Sequence, residues 1–318
     1  MKKFVFKRIL QIIPVIFLVS IFAFLIINLA PGDPVNMYID SSMTEQDIER
    51  IRVEMGLEQP IHIRYVKWLK NVSKGDLGYS LINHQPVSTL IKERIPATVG
   101  LMGISLLIAI IVSIPLGLIA GFNKNNKIDN IIGFISYIGV SIPSFWFAIL
   151  LIALFSVILK WLPSNGMRAV GVESTLDLIK HGIMPVIVLS LYNIAIFTRY
   201  IRANTISQLA EDYVVTAVAK GLSRASILRR HILKNCLLPI ITVVGMNLAN
   251  LVSGAFITET VFGWPGMGSL GMSGILSRDY PIIMGFTMLS CLLLVIGNMI
   301  ADTLYGVVDP RIKLGVKS

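Results

Sequence analysis

The chain has 318 residues, of which 54% are hydrophobic and only 14% charged, and its formal net charge is +10. A soluble domain carries about a quarter charged residues, so the composition excludes one large soluble core and indicates an integral membrane protein. Because the basic residues flank apolar runs, we assign them to membrane orientation and not to nucleic acid. We interpret the two cysteines, Cys236 and Cys291, as small buried residues without a disulfide.

Apolar runs long enough to cross a bilayer occur six times along the chain. The first run follows the basic segment 1–8 and is longer than the core of a signal peptide, so we interpret residues 1–30 as a tail and a first span. The pattern predicts an all-α integral membrane protein. Its six expected spans are residues 9–30, 98–122, 131–159, 182–200, 237–258 and 281–307.

The connection 31–97 between the first two spans is unusually long and polar. Its sequence predicts two short helices, at 44–55 and 62–72, followed by a turn-rich segment at 75–80. We expect this connection to form a folded cap outside the membrane. Two interpretations stay open for the cap, which either has no special chemistry or provides a surface on which another protein docks.

Polar side chains occur within the third to fifth expected spans. For any one of them, a hydrogen bond between helices is the favoured interpretation. As a set, they are expected to line a hydrophilic path, and Pro143 is expected to kink the third span. The candidate path residues are Ser141, Pro143, Ser144, Asn193, Asn247, Asn250 and Ser253.

The distribution of positive charge predicts the orientation of the chain in the membrane. Six spans place both termini on one side, together with the connections 123–130 and 199–235. These four segments hold 16 of the 28 Lys and Arg residues. Most of the remaining basic residues lie in the long first connection, where charge has little influence on orientation. We therefore expect both termini in the cytoplasm.

The polar stretch 211–239, between the fourth and fifth expected spans, begins with a helical pattern. Gly221 is expected to end this helix in a left-handed conformation. A helix of about ten residues is not stable alone in water, so we expect another surface to pack on its apolar stripe. The stripe consists of Tyr213, Val214, Ala217 and Val218.

The same stretch resembles the cytoplasmic loop of ATP-binding-cassette (ABC) importer permeases, in particular their dipeptide, oligopeptide and nickel branch. Motifs similar to those of this branch follow in order: ETVF at 259–262, PGMG at 265–268 and RDYP at 278–281. Several linked motifs make the resemblance specific. The signature glutamate of the wider superfamily corresponds to Val215, so no glutamate role is transferred there. Matching loop residues are Asp212, Tyr213, Val214, Thr216, Ala217, Ala219, Lys220, Gly221, Leu222, Arg230, His231, Leu233, Asn235, Leu237, Leu238 and Pro239.

The resemblance implies a type I ABC importer permease fold with a core at 98–307, a cytoplasmic coupling loop at 201–236 and a cytoplasmic tail at 308–318. It implies a subunit that moves peptides across the bacterial cytoplasmic membrane by alternating access. The implied partners are a second homologous permease, two ABC ATPase subunits, an extracytoplasmic substrate-binding protein and membrane lipid. No nucleic acid is expected.

The resemblance also indicates which residues contact these partners. Ala217 is expected to face the ATPase, because a small side chain there lets a partner surface approach closely. The candidate coupling residues are Asp212, Tyr213, Thr216, Ala217, Lys220, Gly221, Leu222 and Arg230. The candidate docking residues for the binding protein are Asp76, Tyr79, Trp264, Arg278 and Asp279.

Several alternative functions require sequence motifs that this chain lacks. It contains no GxxxxGK[ST] phosphate loop and no HExxH or CxxC-type metal motif, so we expect no ATPase site, cofactor or metal in this chain. A stand-alone secondary transporter would show inverted repeats, and a membrane-surface scaffold would need a larger apolar face. Nickel or a metal chelate stays open as cargo. Without a His-rich or Met/Cys cluster, we favour peptides, whose length the sequence does not specify.

Overall fold

The computed structural model describes residues 2–29, 35, 44–54, 57–228, 232–233 and 255–308. Within these ranges the chain forms helices joined by turns, with an isolated β-bridge between Tyr79 and Pro86. A π-helical segment, Ile152–Ile158, continues the sixth helix. The described helices are α1 (Lys2–Leu29), α2 (Glu45–Glu54), α3 (Ile61–Val72), α4 (Val87–Phe122), α5 (Lys127–Ser141), α6 (Ser144–Leu151), α7 (Thr175–Leu209), α8 (Asp212–Ala219), α9 (Arg224–Ile227), α10 (Phe256–Val261), α11 (Met267–Leu276) and α12 (Tyr280–Val308).

Four of the described helices, α1, α4, α7 and α12, are long and apolar enough to cross a membrane. The bent pair of α5 and α6 with its π-helical continuation makes a fifth span if it is counted as one. The all-α membrane fold that the sequence predicts is confirmed. The count of six spans is not, since most of the expected span 237–258 lies outside the described residues.

The third expected span is broken and not merely kinked. α5 ends at Ser141, α6 begins at Ser144, and the two directions differ by 98°. Pro143 is the N-cap residue of α6, and Ile142 before it is extended, with φ −74° and ψ 123°. A proline disfavours helical geometry in the residue before it and has no N–H to donate, so one helix cannot continue through this point.

Two expected spans continue beyond their predicted ends. α4 already starts at Val87, because its first turns pack against Met267 of α11 and Ile282 of α12 in a buried apolar cluster. α7 covers Thr175–Leu209 and not only 182–200. Both helices are longer than the roughly 20 residues that a bilayer requires, so their ends project beyond the apolar layer or the helices tilt.

The contact between α4 and α7 is the most extensive among the described helices. A row of small residues on α4 faces it, with a spacing of four. A Cβ atom added at Gly117 would lie 2.5 Å from Cβ of Ile201, and one at Gly121 would lie 2.5 Å from Cβ of Thr205. Small residues at helical spacing let two backbones approach closely within a membrane. The row consists of Ser105, Ala109, Ser113, Gly117 and Gly121, all buried.

The amphipathic helix predicted at 62–72 is observed as α3, which lies against α1. The Tyr65 hydroxyl is 2.8 Å from the Ser20 hydroxyl of α1, and the Tyr65 ring packs edge-on against Phe24 at 5.4 Å. Trp68 stacks on Tyr65 with 5.9 Å between the ring centroids. The aromatic side of α3 is thereby fixed to the end of α1, next to Met284 of α12.

Candidate functional site

The short helix that the sequence places after the fourth span is present as α8. Glu211 is its N-cap residue, and Gly221 follows it with φ +74°, so the predicted left-handed glycine is confirmed. The Gly221 N–H donates to the Val218 carbonyl at 2.9 Å, and the Leu222 N–H donates to the Ala217 carbonyl at 3.2 Å. These bonds satisfy carbonyls of the last turn and reverse the chain.

The buried face of α8 packs on its own chain. Val214 and Ala217 are 3% and 4% exposed and form a cluster with Ile227, Ile232 and Leu118 of α4. The expectation that Ala217 faces a partner does not fit this geometry. Its small side chain instead lets α8 lie close to the rest of this chain, so a bulky residue there would disturb the chain itself.

Two of the eight candidate coupling residues, Asp212 and Thr216, lie on the outward face of α8. Val215 and Val218 are each 60% exposed, so Val218 lies on this face and not on the buried stripe. Val215 was not among the candidate coupling residues, because it stands where the wider superfamily has its signature glutamate and the role of that glutamate was not transferred to a valine. Tyr213 is half-buried, and its hydroxyl donates to Oε1 of Gln208 at 2.6 Å. Arg230 lies outside the described residues. Exposed candidates are Asp212, Thr216, Lys220, Gly221 and Leu222.

An ion pair that sequence reasoning missed connects α5 to α7. Arg202 donates from Nε to Oδ1 of Asp129 at 2.5 Å and from Nη2 to Oδ2 at 2.7 Å. The Asn125 N–H also donates to Oδ2, at 2.9 Å, and Asp129 is 2% exposed. Two parallel charge-assisted bonds fix the relative position of the helices as well as their distance. The pair lies about two turns before the end of α7.

A cavity of about 530 Å³ lies beside the break in the third span. Ser144 and Asn193, two candidate path residues, line it together with Ile142 and Tyr192. Asn193 donates from Nδ2 to the Leu189 carbonyl at 3.1 Å. Ser141 and Pro143 are exposed at the break. The candidates Asn247, Asn250 and Ser253 lie outside the described residues.

Two candidate docking residues are buried within the chain. Asp279 has no exposed surface, and its Oδ2 accepts hydrogen bonds from the Ser80 hydroxyl at 2.5 Å and the Leu81 N–H at 2.9 Å. Trp264 is 4% exposed and donates from Nε1 to the Ala97 carbonyl at 3.1 Å. Direct contact with a partner therefore does not fit these two positions, and any effect of theirs on docking is indirect. Asp76, Tyr79 and Arg278 are exposed.

We expect Asp279→Ala to loosen the segment that Asp279 holds. Hydrogen bonds to a charged group contribute about 1.5–3 kcal/mol each, so exchange of the Leu81 amide hydrogen should become at least about tenfold faster. Hydrogen–deuterium exchange on the purified transporter measures this rate. Asp76→Ala is the control, because within the described residues the Asp76 side chain accepts from Gly78 alone, in its own turn. Unchanged exchange at Leu81 in the Asp279 variant would contradict the assignment.

A third buried carboxyl group, that of Glu259, positions the α10–α11 region. Its Oε1 accepts from the Thr98 hydroxyl of α4 at 2.9 Å, and its Oε2 accepts from the Ser269 N–H of α11 at 3.0 Å. The Met267 N–H donates to the Thr98 hydroxyl at 2.7 Å. A negative group at the first turn of a helix is favoured by the helix dipole, so Glu259 joins the start of α11 to α4. The ETVF motif contains this residue, but sequence alone did not reveal its contacts.

These features together define a class of protein. A cavity lies beside a broken span among long apolar helices, and a short helix with an exposed apolar face follows α7. This is the architecture of a membrane permease. The chain belongs to the family of binding-protein-dependent transport system inner membrane components. The family profile matches residues 113–314, and the profile of the N-terminal part of such components matches residues 1–102.

Individual relatives agree with this assignment, and a solved structure shares the fold. The oligopeptide transport system permease protein AppB of Bacillus subtilis is 40% identical over 315 residues, which cover 98% of this chain and 100% of AppB. A putative peptide permease protein of Brucella suis biovar 1 is 36% identical over 318 residues, covering 99% of this chain and 100% of that protein. A chain of the inward-facing MetNI methionine ABC transporter matches with a TM-score of 0.54 and 16% identity, covering 69% of this chain and 96% of that one.

The comparisons confirm several of the sequence predictions. The chain has the type I ABC permease fold and is the membrane permease component of an ABC importer, whose ATPase activity resides in separate subunits. It is a multi-pass protein of the inner membrane. The MetNI chain, at its low identity, bears on the fold alone.

Proposed function

We propose that this chain translocates peptides as one of two homologous permease subunits, together with two ATPase subunits and an extracytoplasmic binding protein. Relatives that are named peptide or oligopeptide permeases, and that match over nearly the whole chain, support peptides as the cargo. Nickel or a metal chelate is not favoured by these names. In the described part of the chain, no group of three His, Cys, Asp or Glu side chains could hold a metal ion.

Both termini are proposed to lie in the cytoplasm, as the distribution of Lys and Arg favours. This orientation puts α8 on the cytoplasmic side. It puts α3, the segment 75–86 and the α10–α11 region on the outside. There the exposed residues Asp76, Tyr79 and Arg278 are proposed to contact the binding protein.

The proposed contact with the ATPase subunits rests on one observation, the exposed apolar edge of α8. Val215 and Val218 lie one turn apart, and Leu222 follows with 37% exposure. Valine side chains exposed to this degree on a polar loop indicate a surface that a partner covers. The polar candidates Asp212 and Thr216 lie beside them. We assign this face, and not Ala217, to contact with the ATPase.

The contacts of α8 offer a route for movement from the ATPase to the path. Val214 and Ala217 belong to a buried cluster against which Leu118 of α4 packs, and α4 is tightly packed on α7. The bidentate pair of Arg202 and Asp129 joins α7 to α5, which ends at the break beside the 530 Å³ cavity. A displacement of α8 therefore moves α4, α7 and the broken span together, as alternating access between rigid groups of helices requires.

The double variant Val215→Asp/Val218→Asp tests this assignment. Both side chains are exposed in the isolated chain, so the variant should insert and fold. In the assembled transporter the aspartates would be buried without partners, which is costly. We expect ATP-driven uptake of a labelled peptide to fall about tenfold or more, with loss of co-purified ATPase or of its stimulation by substrate.

Val170→Asp is the matched control, since Val170 is fully exposed in the connection between α6 and α7, which is proposed to lie outside the membrane. Its uptake should equal that of the wild type. Wild-type uptake and ATPase content in the double variant would contradict the coupling role of this face. Uptake of a nickel chelate in preference to any peptide would contradict the cargo while leaving the coupling role intact.

A further inference from the structure

A cavity of about 440 Å³ lies at the membrane surface where α1 ends and α12 begins, next to α3. It is separate from the path and from α8. Its floor is apolar and consists of Phe24, Ile27 and Met284, which are 7%, 9% and 3% exposed. On the opposite side of α1, Ile26 and Leu29 are 67% and 74% exposed. The apolar floor itself is formed by the ends of two membrane-spanning helices, α1 and α12.

The rim of the cavity is positively charged. Arg64 and Lys67 of α3 line it, with Asp76 as the acidic lining residue in the described part of the chain. Neither cation lies within 4 Å of a carboxylate among the described residues. Burial lowers the pKa of the Arg64 guanidinium, because the charged form loses part of its hydration. An anion in the cavity would replace that lost hydration.

Two further features fit the cavity to a group at the membrane interface. Trp68 and Tyr280 line it, and such aromatic side chains are enriched at the level of lipid headgroups. Asn28 lines it too, and donates from Nδ2 to the Phe24 carbonyl at 2.7 Å. The Oδ1 atom of Asn28 is buried and accepts no hydrogen bond within the described residues. A ligand hydroxyl group would supply the missing donor.

We propose that this cavity binds the headgroup of an anionic glycerophospholipid such as phosphatidylglycerol. The phosphate lies between Arg64 and Lys67, a headgroup hydroxyl approaches Asn28, and an acyl chain follows the apolar floor between α1 and α12. Because this floor is formed by the ends of two membrane-spanning helices, a lipid is favoured over a soluble anion. The bound lipid joins α1, α3 and α12. This site is independent of the transported cargo and of the orientation of the chain.

Fluorescence quenching of the delipidated full-length chain, purified with its partner subunits, tests the proposal. Phosphatidylglycerol with brominated acyl chains should quench Trp68, and the Trp68→Phe variant identifies that contribution. We expect Arg64→Gln/Lys67→Gln to bind this lipid about tenfold or more weakly than the wild type, since two charge-assisted contacts are lost. Lys70→Gln/Lys74→Gln removes the same charge from exposed positions outside the cavity and should bind as the wild type does.

Three outcomes would overturn the proposal. Equal quenching in the cavity variant and the wild type would show that the two cations bind no headgroup. Equal affinity for brominated phosphatidylcholine would show a non-specific apolar contact. Displacement of the lipid by inorganic phosphate or by a short peptide would show a site for soluble anions. If the double variant does not fold, Lys67→Gln alone is used, because Lys67 is exposed. Wild-type affinity of that single variant for phosphatidylglycerol would also contradict the proposal.

Discussion

Glu259→Ala is expected to lower the free energy of unfolding of the purified transporter by several kcal/mol. The side chain has no exposed surface and accepts hydrogen bonds from the Thr98 hydroxyl, the Ser269 N–H and, at 3.3 Å, the Ala255 N–H. Each buried donor that loses its acceptor costs about 1–3 kcal/mol. A thermal unfolding curve followed by intrinsic fluorescence measures the loss, which should be accompanied by a lower yield from the membrane.

Glu259→Gln separates the chemistry of the side chain from its volume. Glutamine fills the same space but replaces one acceptor oxygen by an NH₂ group. If that group faces Ser269, two donors oppose each other. If it faces Thr98, the hydroxyl group already receives the Met267 N–H and has no acceptor for its own hydrogen. We therefore expect a smaller but measurable loss of stability in either amide orientation.

The control for both variants is Glu173→Gln, because Glu173 is exposed in the connection between α6 and α7. It should unfold at the wild-type temperature. If Glu259→Ala also unfolded there, the hydrogen bonds of Glu259 would not stabilise the α10–α11 region. If Glu259→Gln unfolded at the wild-type temperature while Glu259→Ala unfolded earlier, the loss would come from the missing side-chain volume and not from the number of hydrogen-bond acceptors.

Local rules were sufficient for several features of the fold. The conformation of Gly221 and an interruption at Pro143 follow from the backbone preferences of single residues, although a kink was predicted at Pro143 and a break is observed. α3 followed from its apolar spacing. The membrane spans followed from the length of the apolar runs, although the ends of α4 and α7 did not, since packing partners distant in sequence extend them.

The contacts of the buried carboxyl groups could not be predicted in this way. Asp279 binds Ser80 across 199 positions of sequence, and Glu259 binds Thr98 across 161. Motifs that contained these residues indicated their importance, but only the folded chain identifies their partners. For this reason Asp279 was interpreted as a surface residue.

The face of α8 illustrates a different limit of sequence reasoning. Periodicity correctly placed Val214 and Ala217 on one side, yet it cannot tell whether that side meets the same chain or another subunit. The sequence did indicate that a surface was required, because so short a helix is unstable alone. In the structure Leu118 and Ile232 provide that surface, and the valines on the opposite edge stay uncovered.

The largest effect on assembly is expected from leucine at Gly117 or Gly121. A Cβ atom at Gly117 would lie 2.9 Å from the backbone oxygen of Thr198, and one at Gly121 would lie 2.9 Å from that of Arg202. Backbone atoms of a packed helix cannot move aside as a flexible side chain can. α4 and α7 would therefore have to separate along their longest contact, and even modest overpacking costs about 1–3 kcal/mol.

Gly103→Leu provides a control on the same helix, because a Cβ atom there meets no described atom of another element within 4 Å. It should leave folding, ATPase co-purification and uptake unchanged, whereas Gly117→Leu should remove most of the folded transporter. Gly121→Ala is the sensitive variant, since it adds one methyl group against Thr205, near the end of α7 that leads into α8. We expect it to reduce ATPase co-purification more than thermal stability, because widening the contact there displaces the helix that we propose to contact the ATPase. Wild-type ATPase content in Gly121→Ala, together with a normal thermal midpoint in Gly117→Leu, would show that the spacing of α4 and α7 determines neither property.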